Sequence, residues 1–164
     1  MKKWSERSEE TAYLLNPPFL SLVIQNAIDG YMTMDDDGSP FILPFILVPL
    51  VLHGRTRRML PRTTRTTFAS WITDTTNAVV KLDFAVLCRA LNPYVKEGLI
   101  FSMQNGGVRI SEHGRLVVSG AVKKSFAGAS EEVDACIRAS AFCGKWFGKS
   151  GSIKTTLALL GVKP

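Results

Sequence analysis

Apolar residues recur at three- and four-residue spacing along most of the chain, which predicts a protein built mainly of helices. The clearest helix runs from residue 17 or 18 to about 34. Asn16 precedes it and suits the N-cap, since proline is tolerated in a first turn. A shorter helix over residues 5–15 is predicted before it. The apolar positions of the longer helix are Leu20, Val23, Ile24, Ala27, Ile28 and Tyr31.

The most apolar stretch is PFILPFILVPLVL, residues 40–52. It predicts a helix buried nearly all round, beginning at Ser39-Pro40, bent at Pro49 and ending in the basic segment over residues 54–60. A short helix through Phe68, Trp71 and Ile72 follows. The run is about 13 residues long, below the ~20 that a membrane span needs, so we expect no transmembrane segment.

A change of pattern between residues 82 and 118 predicts two helices followed by a hairpin. One helix is expected over 82–91, and Asn92-Pro93 starts another that ends near residue 104. Short alternating strands are predicted over 108–111 and 115–118, around Glu112-His113-Gly114. Helix, turn, helix and hairpin is the order of a winged helix.

The last third predicts an amphipathic helix over residues 130–149 and a short helix over 152–160 capped by Gly161. At 164 residues the chain has the size of one domain. We therefore expect a mainly α (α+β) fold. It divides into an N-terminal helical part (1–76), a winged-helix-like part (77–120) and C-terminal helices (121–164). The inward stripe of the longer helix is Val133, Ile137, Ser140, Gly144 and Phe147.

Composition suggests that a partner covers part of the surface. Hydrophobic residues make up 46% of the chain, which is high for a free-standing soluble protein. The net charge of +6 is unevenly distributed. Residues 38–73 hold five arginines and no acid, and residues 135–164 hold five basic residues and no acid. If the fold brings these two blocks together, they form one positive face.

The five arginines of the first block fall within eleven positions, directly after the apolar run. Such a cluster attracts phosphates, with binding that weakens as salt rises. The alternative is that the arginines pair with acids elsewhere in the chain or on an acidic partner, and the sequence leaves both open. The five are Arg55, Arg57, Arg58, Arg62 and Arg65.

Sequence-specific DNA reading is disfavoured by the expected recognition helix, residues 93–104. Its only basic residue is Lys96, which Glu97 offsets, whereas base readout uses Arg, Lys, Asn or Gln. The hairpin carries Arg109 and Arg115, which could contact phosphates. Backbone contact or protein docking is therefore the favoured interpretation.

Motifs for catalysis are weak. Gly144–Ser150 resembles a phosphate-binding loop, but its glycines have three residues between them instead of four, and no strand precedes it. His53 and His113 have no nucleophile in a recognisable pattern. The acidic triplet at 35–37 is interpreted as a solvated turn. We expect no enzyme activity, no cofactor and no metal.

Cys88, Cys136 and Cys143 are odd in number and have no metal-ligand spacing, which fits a reducing cytoplasm. Cys136 and Cys143 are seven positions apart, on one face of a predicted helix, so we interpret these two as packing residues. The charged N-terminus has no apolar core, and we expect no signal peptide there.

Three segments together resemble a known family. RSEETAYLLNPPF (7–19), PFILPFILVPLVLH running into RTRRMLP (40–61) and KWFGKSGSIKTTLALLGVKP (145–164) are similar to the middle component of three-component ABC-ATPase systems. These systems include the Lamassu-like anti-phage operons of bacteria. The similarity extends over nearly the whole chain, in the same order.

The resemblance implies a small cytoplasmic, non-catalytic subunit with winged-helix character. It would bridge a dimeric SMC-like ABC ATPase of the Rad50 type and an effector, usually a nuclease, in a complex that senses DNA. We expect its partner surface on the five arginines, with Trp146, Phe147 and Lys149 as a second contact. The alternative is a free-standing winged-helix regulator that binds DNA as a dimer; an undetected nuclease is the weakest interpretation.

Overall fold

The computed structural model describes residues 6–125 and 127–161, and within them the chain is mainly helical. The prediction of a mainly α protein with one hairpin is confirmed. The helices are α1 (Glu9–Leu14), α2 (Pro17–Met32), α3 (Leu43–Leu52), α4 (Gly54–Met59), α5 (Phe68–Thr73), α6 (Ala78–Gln104), α7 (Glu131–Lys149) and α8 (Ile153–Leu160). The strands are β1 (Val108–Ile110) and β2 (Leu116–Val118).

Helix ends follow the capping signals in the sequence. Asn16 accepts a hydrogen bond from the Phe19 amide at 2.8 Å and caps α2, as predicted. Gly161 ends α8 with a positive φ of 67°, a conformation that costs a residue without Cβ little. The helix predicted over 5–15 is shorter, and its expected first residue, Ser5, lies outside the described residues.

The closest helix packing joins α2 to α7, and glycines make it possible. A Cβ added at Gly144 would overlap the carbonyl oxygen of Ala27, and one at Gly30 would overlap that of Ala141. A Cβ at Gly148 would lie 2.9 Å from the Cβ of Met34. The two backbones are therefore in direct contact.

The apolar run forms α3, which lies in the core with nearly every side chain buried. Its expected start at Ser39-Pro40 is wrong, because Ser39 instead pairs with Leu116 in an isolated β-bridge. The helix also ends earlier than predicted. His53 takes an extended conformation (φ −75°, ψ 102°), so the basic segment begins a separate helix, α4.

The expected pair of helices over 82–91 and 93–104 is wrong, because α6 is one helix of 27 residues. Pro93 lies inside it and removes one backbone amide. Since Arg89 and Pro93 are exposed, water can bond the Arg89 carbonyl that this leaves free. The turn of the predicted helix-turn-helix is absent from α6, and the winged-helix unit is not confirmed.

The hairpin is confirmed. β1 and β2 pair antiparallel, with Val108 opposite Val118 and Ile110 opposite Leu116. Val108 and Leu116 turn into the core, while Arg109 and Ile110 are exposed. The bridge at Ser39 adds a rudimentary third strand next to β2.

No helix in the described part of the chain is both long enough and apolar enough to cross a membrane.

We expect Gly144→Ala to lower the free energy of unfolding by about 2–3 kcal/mol, because backbone atoms of α2 must move to admit the methyl group. Urea denaturation followed by circular dichroism measures the change. Gly54→Ala is the matched control, since the nearest neighbours of its new methyl are side-chain ends of Arg58, Arg57 and Glu132, at 3.4 Å or more. That variant should keep its stability or gain up to about 1 kcal/mol. Equal losses in both would contradict the packing argument.

Candidate protein-interaction surface

Four of the five predicted arginines form one exposed group, hereafter the basic surface: Arg55, Arg58, Arg62 and Arg65. Arg55 and Arg58 lie on α4, and Arg62 and Arg65 lie in the loop before α5. Among the described residues, none of these four side chains makes an ion pair or hydrogen bond. Their positive charge faces solvent without neutralisation.

Arg57 differs from its neighbours, because its guanidinium is buried against α7. Its side chain is only 7% exposed and forms an ion pair with Glu132. It also donates hydrogen bonds to the Val51 carbonyl oxygen and to the Cys136 sulfur. The expected role of Arg57 in partner binding therefore meets a structural constraint: this side chain joins α4 to α3 and α7.

A cluster of aromatic side chains packs against the part of the basic surface that lies in the loop before α5. It surrounds Trp146, which is fully buried and whose Nε1 donates to the Thr66 carbonyl oxygen at 2.6 Å. Trp71 Nε1 donates to the Met59 carbonyl oxygen at 2.8 Å. One indole thus bonds the backbone before Arg62, and the other bonds the backbone after Arg65. The cluster consists of Phe68, Trp71, Phe142, Trp146 and Phe147.

The second partner contact expected from the sequence is only partly on the surface. Trp146 and Phe147 lie in the core and are not part of the chain's surface, whereas Lys149 is exposed at the end of α7. The fold does bring the two acid-free blocks together, since Trp146 belongs to one and Thr66 to the other. Sequence reasoning placed these aromatics in a contact surface, but they fix the position of the basic surface.

The two hairpin arginines also differ from each other. Arg109 is exposed on β1. Arg115 pairs with Asp35 and donates to the Gly38 carbonyl oxygen, which ties the hairpin to the loop after α2. Of the pair, Arg109 remains available for a partner or a phosphate. Asp35, expected in a solvated turn, instead holds this ion pair.

A small pocket beside the basic surface was not predicted from the sequence. It has a volume of about 200 Å³ and lies between α4 and the first turns of α6, with Arg55 and His53 at its edge. His53 Nδ1 and Thr56 Oγ1 are 2.6 Å apart. The apolar wall includes Val79 and Val80, which precede the predicted start of the helix at residue 82. The helical spacing of Val80, Phe84 and Leu87 is the sequence feature that could have indicated this earlier start.

The three cysteine thiols have raised pKa values. Burial raises the pKa of the Cys88 thiol to about 12, and it also raises the pKa values of Cys136 and Cys143. A nucleophilic cysteine needs the opposite shift. The segment resembling a phosphate-binding loop forms the end of α7 and the residue after it, with Gly144 and Gly148 packed on α2. Within residues 6–125 and 127–161, no three His, Cys, Asp or Glu side chains are grouped to hold a metal ion.

Comparison with known families gives a match over nearly the whole chain. The family model described as ABC-three component (ABC-3C) system Middle Component 3 matches residues 4–164, almost the entire chain. Comparisons with curated proteins and with solved structures gave no significant match.

We expect Arg57→Ala to lower the free energy of unfolding by about 1–3 kcal/mol, because it leaves the buried Val51 carbonyl without this donor. Arg58→Ala is the matched control: it removes an exposed, unpaired arginine from the same helix and should change stability by no more than about 0.5 kcal/mol. Urea denaturation of both variants tests the distinction. Equal stability of the two would show that Arg57 is not a structural residue.

We expect Cys88 to resist alkylation in the folded protein. With a pKa of about 12 it is almost entirely protonated at pH 7.5, so iodoacetamide should react at least ~100-fold more slowly than in urea. The folded-state rate should rise about tenfold per pH unit from 7.5 to 9.5, while the unfolded-state rate levels off above about 8.5. Mass spectrometry of modified peptides gives both rates. Fast labelling of Cys88 at neutral pH would contradict the raised pKa.

Proposed function

Since the chain belongs to the Middle Component 3 family of ABC-three component systems, we propose that it is the subunit that docks the ABC ATPase of such a system through its basic surface. Membership in the family implies an accessory role beside an ABC ATPase. It also confirms the resemblance to the middle component of three-component ABC-ATPase systems. The narrower likeness to Lamassu-like anti-phage operons is part of the proposal.

The observation that carries this proposal is the contrast between Arg57 and the basic surface. One arginine of the segment is neutralised inside the chain, and Arg55, Arg58, Arg62 and Arg65 are left exposed without partners in the described residues. Four positive charges within eleven positions of the chain, with no ion pair among the described residues, favour binding of an external anion. The hydrogen bonds from Trp71 and Trp146 hold the backbone of this segment in place, which lowers the entropy cost of binding.

In the proposed complex the chain has no catalytic role of its own. It bridges a dimeric, SMC-like ATPase of the Rad50 type and an effector, with a nuclease as the effector we propose. The basic surface meets acidic side chains of the ATPase, and Lys149, exposed at the C-terminal end of α7, makes a further contact.

Contact with DNA is a second element of the proposal, and one arrangement favours it. Helices α2, α3 and α6 pack on one another, Ser39 pairs with β2, and the hairpin follows. The short helices α4 and α5 lie between α3 and α6, so the order differs from that of a plain winged helix. We propose a winged-helix-like unit in which α3 takes the place expected for residues 82–91. We propose that Arg109 on the hairpin contacts phosphates and that no bases are read.

We expect the triple variant Arg55→Glu, Arg58→Glu and Arg62→Glu to weaken binding to the purified ATPase of the same system at least 100-fold. Acidic side chains of the ATPase would then face glutamates and be repelled. Isothermal titration calorimetry on the full chain measures the dissociation constant. Arg57 stays unchanged, so the variant should remain folded.

The matched control is a second triple variant, Lys123→Glu, Lys124→Glu and Arg138→Glu, which changes the net charge equally at exposed positions outside the basic surface. This control should bind within about threefold of the wild type. Equal weakening in both triple variants would reduce the effect to net charge. Unchanged binding in the basic-surface variant would refute the docking site. Loss of duplex DNA binding alone, with ATPase binding intact, would assign the surface to phosphates.

A further inference from the structure

A groove of about 560 Å³ lies between the start of α3 and the middle of α6, apart from the residues of the basic surface. Its floor is apolar and includes Phe41, Phe45 and Cys88. Its rim carries Arg89, Asn92 and Lys96 on successive turns of α6. The sequence did not indicate it, because it depends on how α3 crosses a helix that was expected to be broken at Pro93.

Phe41 is the least covered residue of the floor. Its side chain is 46% exposed, and its ring lies 6.0 Å from that of Phe45. The two rings form an apolar ledge at the edge of the core. A large apolar side chain left in water at a concave site gains free energy when another apolar surface covers it.

The charge at the rim is not neutralised within the described residues. Arg89 and Lys96 are exposed and make no ion pair there. Glu97, expected to offset Lys96, is committed elsewhere: it pairs with Arg7, and both side chains are nearly buried. Arg7 also lies over the ring of Tyr94 at 5.4 Å. The acid next to Lys96 in sequence is therefore turned away from the groove.

We propose that this groove docks an amphipathic helix of a partner protein. Apolar side chains of that helix at i and i+3 or i+4 would rest on Phe41 and Phe45, and acidic residues on its flank would pair with Arg89 and Lys96. A protein helix fits better than a nucleic acid, because the floor is concave and apolar and has two cations instead of a continuous line of them. The inference rests on the proposed function, in that the helix belongs to another component of the same three-component system.

Two variants test the groove by different routes. Phe41→Asp places a charge on the apolar floor, and Arg89→Glu with Lys96→Glu reverses the charge of the rim. Each is titrated, as the full chain, against the purified ATPase and the purified third component. We expect at least tenfold weaker binding of one of these components by both variants. Recovery of binding to the rim variant when acidic residues of the partner helix are replaced by lysine would identify that helix.

Matched controls separate the groove from general effects. Ile110→Asp introduces the same charge at an apolar residue of similar exposure, 52%, on β1. Lys123→Glu with Arg138→Glu reverses two exposed charges outside the groove, one before α7 and one on α7. Both controls should bind within about threefold of the wild type, and circular dichroism checks that all variants are folded.

The outcomes distinguish this inference from the proposed function. If the basic-surface variant loses the ATPase and both groove variants bind both components as the wild type does, the groove inference alone is refuted. If the wild-type chain binds neither component, the proposed function fails and the groove inference with it. Loss of binding to single-stranded DNA, or loss of self-association by sedimentation, with component binding intact, would overturn the assignment to a partner helix.

Discussion

The contact between α2 and α7 is the constraint on which the rest of the structure depends. Gly30 and Gly144 allow the two backbones to touch, because any Cβ there would overlap a carbonyl group of the facing helix. This contact fixes where the outer face of α7 lies. Glu132 near one end of α7 then reaches Arg57, and Trp146 near the other reaches Thr66. Helix α7, which the glycines place against α2, therefore contacts the arginine-bearing segment at two points, Arg57 and Thr66.

That arrangement explains how five arginines with no acid near them in the sequence can occupy a defined position. The repulsion among them is countered by contacts that involve few of their own charges: one ion pair, two indole hydrogen bonds to the backbone and the aromatic cluster beneath. Only Arg57 is consumed in this way. The protein therefore uses one arginine to stabilise the fold and leaves the others exposed, in a place set by apolar packing.

Local sequence signals predicted the elements they control directly. The periodicity of α2 and α7, the cap at Asn16 and the glycine end at Gly161 are all decided within a few residues. The wrong predictions concern residues whose structure is determined by their surroundings in the fold. Asn92-Pro93 has the signature of a helix start, yet α6 continues because Pro93 is on an exposed face. Tryptophan is a residue type that often anchors interfaces, yet the Nε1 of Trp146 donates a hydrogen bond inside the chain, to the Thr66 carbonyl oxygen 80 positions away. No pattern in one sequence distinguishes Arg57 from Arg58, since only the approach of α7 does so.

The high apolar fraction gains a more specific meaning from the structure. Most of it is used in the core around α2, α3 and α7, and among the described residues the large apolar side chains left exposed are spread over several elements. Phe41 differs from the others because it lies beside a second aromatic ring and below two unpaired cations. Charge on an open surface governs mainly how fast partners meet, whereas an apolar contact in a concave site governs how long they stay together. In the proposed complex, the basic surface would therefore set the rate of association with the ATPase. The groove would set how long the partner's helix stays bound.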